Sequence, residues 1–237
     1  MPHASNRLLS ALVPDDYALL SPHLSPVALE QGSILSETGD LVSHVYFPWD
    51  AVISLVVTLS TGESVEAAMV GRDGVVGAMS ALDGKHALNR TIVQIGGSGA
   101  MCEAATLKAC VMQSPSLLSA IVSHELTMFA QAQQSAACNI THHVEARLCR
   151  WLLRARDLSG GNTLAFTQEF LADMLGVRRT AVSPAALTLQ RAGLIQYSRG
   201  KIQLLDVGGL KDSACECYAT VNQHYETLLG HNREPAA

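Results

Sequence analysis

The chain has 237 residues, of which 48% are hydrophobic and 16% charged, and its net charge is −5. This composition supports a packed core in one large or two small domains and excludes wholesale disorder. No apolar run reaches the ~18 residues of a membrane-crossing helix, no basic-then-apolar leader is present, and six cysteines without framework spacing fit a reducing, cytoplasmic setting.

In chain order, the first 24 residues carry short helical patterns, NRLLSALV and DDYALLSPHL, broken at Pro14 and Pro22. From about Val27 to Met112 short apolar runs alternate with glycine-containing turns roughly every ten residues, which reads as an all-β barrel or jelly roll. The texture then changes at Ser114 and Pro115, a cap followed by a first-turn proline. Leu118, Val122, Leu126, Phe129, Ala136 and Ile140 follow at helical spacing, interrupted by Gln133. A helix of about 25 residues with such a stripe is too long for one small barrel, so the stripe is expected to pair with its own copy. Around Asn139–His143 it weakens, a candidate hinge. HHVEARLCRWLLRARDLSGG predicts a second helix, closed by Gly160 and Gly161.

FTQEFLADMLGVRRTAVSPAALTLQ carries the sharpest signal. Counting from Gln168 as position one, Ala172 takes the fifth place, where two helices cross closely, and Gly176 the ninth, where the turn needs positive φ. Leu171, Leu175, Val177, Val182 and Ala185 fill the apolar places, and Thr167 can cap the first helix. This is the pattern of a helix-turn-helix. QYSRGKIQLL then reads as strand, turn, strand, with Arg199 and Lys201 at its tip, a wing that brings cations to phosphate oxygens. Pro184 is the anomaly: a proline inside the second helix removes a donor and clashes with the preceding turn. A continuous kinked helix from about Arg178 is expected; the alternative is a restart with Ser183 as cap.

Charge is distributed unevenly. Residues 1–140 hold five Lys/Arg against twelve Asp/Glu, residues 141–205 nine against four, and the remainder two against five. A basic block between acidic flanks fits a polyanion-binding module joined to something else. No GxSxG, HExxH, P-loop or dinucleotide fingerprint is present, so enzyme activity is not expected.

Taken together, the β-roll, the long helix, VEARLCRWLLRA, TQEFLADMLGVRRTAVS and RAGLIQYSRGKIQLLD resemble the Crp/Fnr family of bacterial transcription regulators. The resemblance implies an α+β chain in three units. These are a cyclic-nucleotide-binding-like β-roll (jelly roll) effector domain over 1–113, a long dimerisation helix and hinge over 114–141, and a winged helix-turn-helix DNA-binding domain with an extra C-terminal helix over 142–237. It also implies a homodimer on two-fold symmetric double-stranded DNA, with RNA polymerase as a further partner and no membrane contact. By position, Arg179 matches the family's base-reading arginine, whereas Thr180 and Pro184 stand where many members have glutamate and a second arginine. Arg178 and Ser183 share that face; Thr167, Gln168, Arg199 and Lys201 are expected at phosphates.

The family's cyclic-nucleotide cassette is only partly matched. Gly77 is followed by Ala78 where a ribose-binding glutamate would stand, and Arg90–Thr91 by Ile92 where a small residue would stand. Gly77, Arg90 and Thr91 are therefore weak cofactor-binding candidates, and the cofactor is left unknown. No cysteine precedes Cys102, so the N-terminal iron–sulfur cluster of some members has no counterpart. His44, His86 and His124 have no spacing signature for haem. Cys215, Cys217 and His224 lie near one another in sequence, but on a helix two cysteines two residues apart point in different directions. No metal site is expected. Two other readings stay open: a ligand-binding β-roll whose winged helix contacts proteins, and a constitutive DNA binder with a vestigial effector site.

Overall fold

The computed structural model describes residues 6–83 and 86–230; the outermost ends of the first and last units lie outside the described residues. Two short helices come first, α1 (Arg7–Ala11) and α2 (Pro14–Leu20), with Pro14 at the first helical position of α2. Seven strands follow: β1 (Ser25–Leu29), β2 (Ile34–Ser36), β3 (His44–Pro48), β4 (Val52–Thr58), β5 (Ser64–Val70), β6 (Arg90–Ile95) and β7 (Gly97–Glu103), with helix α3 (Ala78–Asp83) between β5 and β6. They form two antiparallel sheets, ordered β1-β7-β3 and β2-β6-β4-β5. Their buried faces enclose Leu29, Ile53, Val70 and Val93 in one cluster and Val45, Phe47, Ala100 and Cys102 in another.

The β texture ends earlier than the sequence pattern suggests. Helix α4 (Ala104–Gln113) occupies the stretch up to Met112 that reads as strand, because Ala104, Leu107, Cys110 and Val111 form a buried face at helical spacing. Helix α5 (Pro115–Thr141) begins with the Ser114 hydroxyl accepting the Leu117 N–H and Pro115 in first position. It has two apolar faces. Leu117, Ala120, Ile121 and Met128 are buried against the chain's own domain, whereas Leu118, Val122, Leu126, Phe129 and Ile140 are exposed, Phe129 by 62% and Ile140 by 87%.

Helix α6 (Val144–Ser159) follows and ends at Gly160 in the left-handed conformation, which carries no Cβ penalty for glycine. The last unit continues with β8 (Thr163–Ala165), α7 (Gln168–Leu175), α8 (Arg179–Arg191), β9 (Ile195–Ser198), β10 (Lys201–Leu204), α9 (Val207–Ser213) and α10 (Cys217–Gly230). Its three strands order as β8-β10-β9. Trp151, Phe166 and Phe170 pack as an aromatic cluster, with Trp151 and Phe166 edge-to-face at 4.7 Å.

The winged-helix unit is seated on the β-roll. Val52, Val56 and Met69 of β4 and β5 share one core with Trp151, Leu171, Leu175 and Val182. At the centre of that joint Glu66 accepts hydrogen bonds from Ser54 (2.5 Å), Gln94 (2.7 Å) and the Trp151 indole N–H (3.0 Å). Burial nevertheless pushes its carboxyl up to about 7, against those hydrogen bonds and the charge of Arg150. Beside it, Arg154 donates to Asp73 at 2.6 Å, both side chains under 10% exposed, and lies 4.3 Å over the Tyr225 ring of α10.

Candidate nucleic-acid interface

Helices α7 and α8 form the helix-turn-helix, and each boundary has a local cause. The Thr167 hydroxyl accepts the Phe170 N–H at 3.1 Å and caps α7. Gly176 ends α7 at φ 61°, a left-handed turn, and a Cβ there would stand 2.9 Å from the Val65 methyl of β5. An Arg147 N–H closes the end of α7 from below by donating to the Leu175 carbonyl.

Helix α8 then starts with Arg178 as its N-cap and runs unbroken through Pro184. The i−4 partner that Pro184 cannot serve is the carbonyl of Thr180. The helix tolerates this because Val182, Ala185, Ala186 and Leu189 remain buried on the opposite face while Pro184 is exposed. Ser183 is tied inward: its hydroxyl donates to the Gln168 side chain at 2.7 Å, which fixes α8 against the start of α7.

Strands β9 and β10 pair as a hairpin, Lys201 opposite Ser198, and turn through Arg199 and Gly200 at φ 50° and 75°. Two successive positive φ values match the right-handed strand twist of a tight hairpin, and Arg199 is the non-glycine residue that accepts one of them. Tyr197 of the wing donates to the Phe166 carbonyl at 3.3 Å, and burial pushes its phenol up while Arg179 nearby acts against that rise. The start of α7, the start of α8 and the wing therefore meet on one face. Arg178, Arg179, Thr180, Arg199 and Lys201 are exposed there, and among the described residues none of these four cations forms an ion pair.

The basic block counted in the sequence divides in two. Arg147, Arg150 and Arg154 are buried on α6 and face the protein interior, and Arg156 bonds to Asn162 and Asp157. Arg191 joins the exposed set at the far end of α8, about two turns past Pro184.

The weak cofactor candidates do not converge on an open site. Arg90 pairs with Glu37 at 2.8 Å, and Thr91 shares a 2.7 Å hydrogen bond with Ser36. Gly77 has φ 86°, and the cavity it lines with Thr91, Ser36 and Tyr46 holds only about 20 Å³, room for a water and not for a nucleotide. A larger cavity of about 970 Å³ lies elsewhere, between α1, α6 and α10, lined by Arg72, Arg156 and Glu226 among others. His124 is fully buried, its Nε2 accepting the Val75 N–H, in a space left by Gly74.

One sequence-based expectation on the cysteines is corrected. Cys215 is not on a helix: it lies in the link before α10, and Cys217 is the first residue of α10, so the two sulfurs can approach one another. Their histidine neighbour is His142, the C-cap of α5, and not His224. Sequence distance hid this cluster, since more than 70 residues separate its halves.

Comparison with known proteins fits this geometry. A family model described as the Crp-like helix-turn-helix domain matches residues 146–213. No match is found among the curated proteins. Among solved structures, a putative Crp/Fnr-family transcriptional regulator of Eubacterium rectale is 18% identical with TM-score 0.66, covering 89% of this chain and 98% of that one. FixK2 of Bradyrhizobium japonicum is 15% identical with TM-score 0.68 over 81% of this chain and 98% of its own. The c-di-GMP-responsive regulator CLP of Xanthomonas campestris is 17% identical with TM-score 0.64 over 82% of this chain and 100% of its own. The chain has the fold of the Crp/Fnr transcriptional regulators, and its residues 146–213 match the Crp-like helix-turn-helix domain.

Proposed function

We propose that this protein is a sequence-specific transcriptional regulator that binds double-stranded DNA as a homodimer. The observation that carries this reading is the single exposed face holding Arg178, Arg179, Thr180, Pro184, Arg199 and Lys201, with its cations unpaired among the described residues. In this reading Arg179 donates to a guanine edge in the major groove. Thr167, Gln168, Arg199 and Lys201 hold phosphates, and Pro184 offers an apolar surface where a polar reader is common in the family. Ser183 acts by positioning Gln168. The exposed stripe of α5, from Leu118 to Ile140, pairs with a second copy and sets two recognition helices roughly one helical turn of DNA apart, about 34 Å. The protein works as a binding protein in the cytoplasm, with RNA polymerase as its downstream partner. Among the described residues no helix is long and apolar enough to cross a membrane.

Selection of bound genomic fragments by purified protein tests the reading. A two-fold symmetric motif is expected, with affinity falling steeply as salt rises. Arg179→Ala should lose about 1–3 kcal/mol at the selected site and little at random DNA. Lys201→Ala should weaken both alike and lower the salt slope by about one. Equal losses for Arg179→Ala on both kinds of DNA would sink the base-reading role. A second reading, constitutive binding with a vestigial effector site, is favoured by the Arg90–Glu37 pair and the 20 Å³ cavity. Under it, binding is complete without any added small molecule.

A further inference from the structure

Where α5 ends and α6 begins, four metal-binding side chains converge. The donor atoms of Cys138, His142, Cys215 and Cys217 all lie within 4.8 Å of one another. The Cys138 and Cys215 sulfurs are 3.5 Å apart, and the Cys217 sulfur is 3.6 Å from His142 Nδ1. The three cysteines are buried, and none is in a disulfide.

The separations match one tetrahedral ion. Zinc–sulfur bonds of about 2.3 Å place ligand sulfurs roughly 3.8 Å apart, and three thiolates with one imidazole are a common structural zinc set. An iron–sulfur cluster, with more than one iron between its thiolates, needs a wider spread than 4.8 Å. The surroundings also suit a metal. His142 Nε2 lies 3.2 Å from the Glu216 carboxylate, a partner that holds an Nε2 proton when Nδ1 takes the metal. Gln134 donates to the Cys217 sulfur at 3.0 Å. Arg147 and Arg150 stand close enough to interact with the Cys138 sulfur and offset thiolate charge.

We propose that Cys138, His142, Cys215 and Cys217 bind one zinc ion, a Cys3His site that clasps the end of the long helix to the C-terminal segment. Each thiol that binds gives its proton to solvent, so uptake releases protons. The clasp spans the hinge between α5 and α6 and fixes how the winged helix is carried relative to α5. Zinc thereby controls hinge freedom whatever the winged helix binds.

Full-length protein, purified without oxygen in the presence of a reductant and stripped with a chelator, should take up one zinc per chain by elemental analysis. Cobalt in its place should show the ligand-field and thiolate charge-transfer bands of a tetrahedral site. His142→Ala and Cys217→Ser should weaken zinc in competition with a coloured chelator beyond the about 10–100-fold that loss of an outer partner costs. Cys110→Ala, in the β-roll core, should leave it unchanged. Circular dichroism checks that each protein is folded. The proposal is overturned if folded wild-type protein takes up no zinc, if uptake persists unchanged in both cluster variants, or if cobalt shows no thiolate band. A Cys138–Cys215 disulfide in the anaerobic protein, found by mass mapping, also overturns it.

Discussion

The winged-helix unit has two faces of opposite character. Outward, Arg178, Arg179, Arg199 and Lys201 stand in solvent and await a partner. Inward, Arg147, Arg150 and Arg154, from the same basic stretch of sequence, are buried; Arg147 donates to the Leu175 carbonyl, and Arg154 pairs with Asp73 over the Tyr225 ring. A count of charges along the chain treats the two sets alike. Physically they are opposites: an exposed cation keeps its hydration until it meets phosphate, while a buried one has given up its water and depends on the partners that the fold supplies.

The largest test of this contrast lies inside. Arg154→Ala leaves the Asp73 carboxylate without its cation at a site under 10% exposed, held only by the Gly71 N–H, and should cost about 3–5 kcal/mol of stability in chemical denaturation. Arg178→Ala, in solvent, should change stability by less than about 0.5 kcal/mol. If both variants unfold alike, the division between the faces is wrong.

Glu66 gives the next largest effect. Its folded value, about 7, lies above the ordinary carboxyl value of 4.5, so the folded state holds a proton that the unfolded chain has released. Stability should therefore be greatest below the lower value and fall as pH rises towards the upper one, by on the order of 3 kcal/mol. Glu66→Gln should flatten thermal unfolding midpoints across that window. A slope that survives the substitution would assign the titration elsewhere.

The smallest effect concerns Pro184. Pro184→Ala restores a donor for the Thr180 carbonyl and should raise stability by about 1–2 kcal/mol, less than the full helix penalty because proline also restrains the unfolded chain. The variant should keep the selected half-site except at the position that Pro184 faces. A stability loss would mean that the ring is packed and not merely tolerated.

Much of this was legible in the sequence because it is local. The Thr167 cap, the Gly176 turn, the Ser114–Pro115 start of α5 and the Arg199–Gly200 tip each follow from the conformational preference of one or two residues. The stripe from Leu118 to Ile140 was legible as helical periodicity, although only the fold shows that it is the face left uncovered. What stayed hidden depends on distance along the chain. Nothing near Arg154 names Asp73 as its partner 81 residues away. The approach of Cys138 to Cys215 across 77 residues is equally silent. Helix α4 continues the β texture in sequence because its apolar residues follow a β domain without a glycine or proline between them.

The turn of the helix-turn-helix has a consequence for how this gene can change. Gly176 is held by two constraints of different origin: its own φ of 61°, and the Val65 methyl that a Cβ would meet at 2.9 Å. The first belongs to the motif and is relaxed by asparagine, which accepts left-handed backbone. The second belongs to another domain. A Gly176→Asn change is thus a costly step alone and a cheaper one after Val65→Ala, so the two codons, 111 positions apart, form an ordered pair in mutational history.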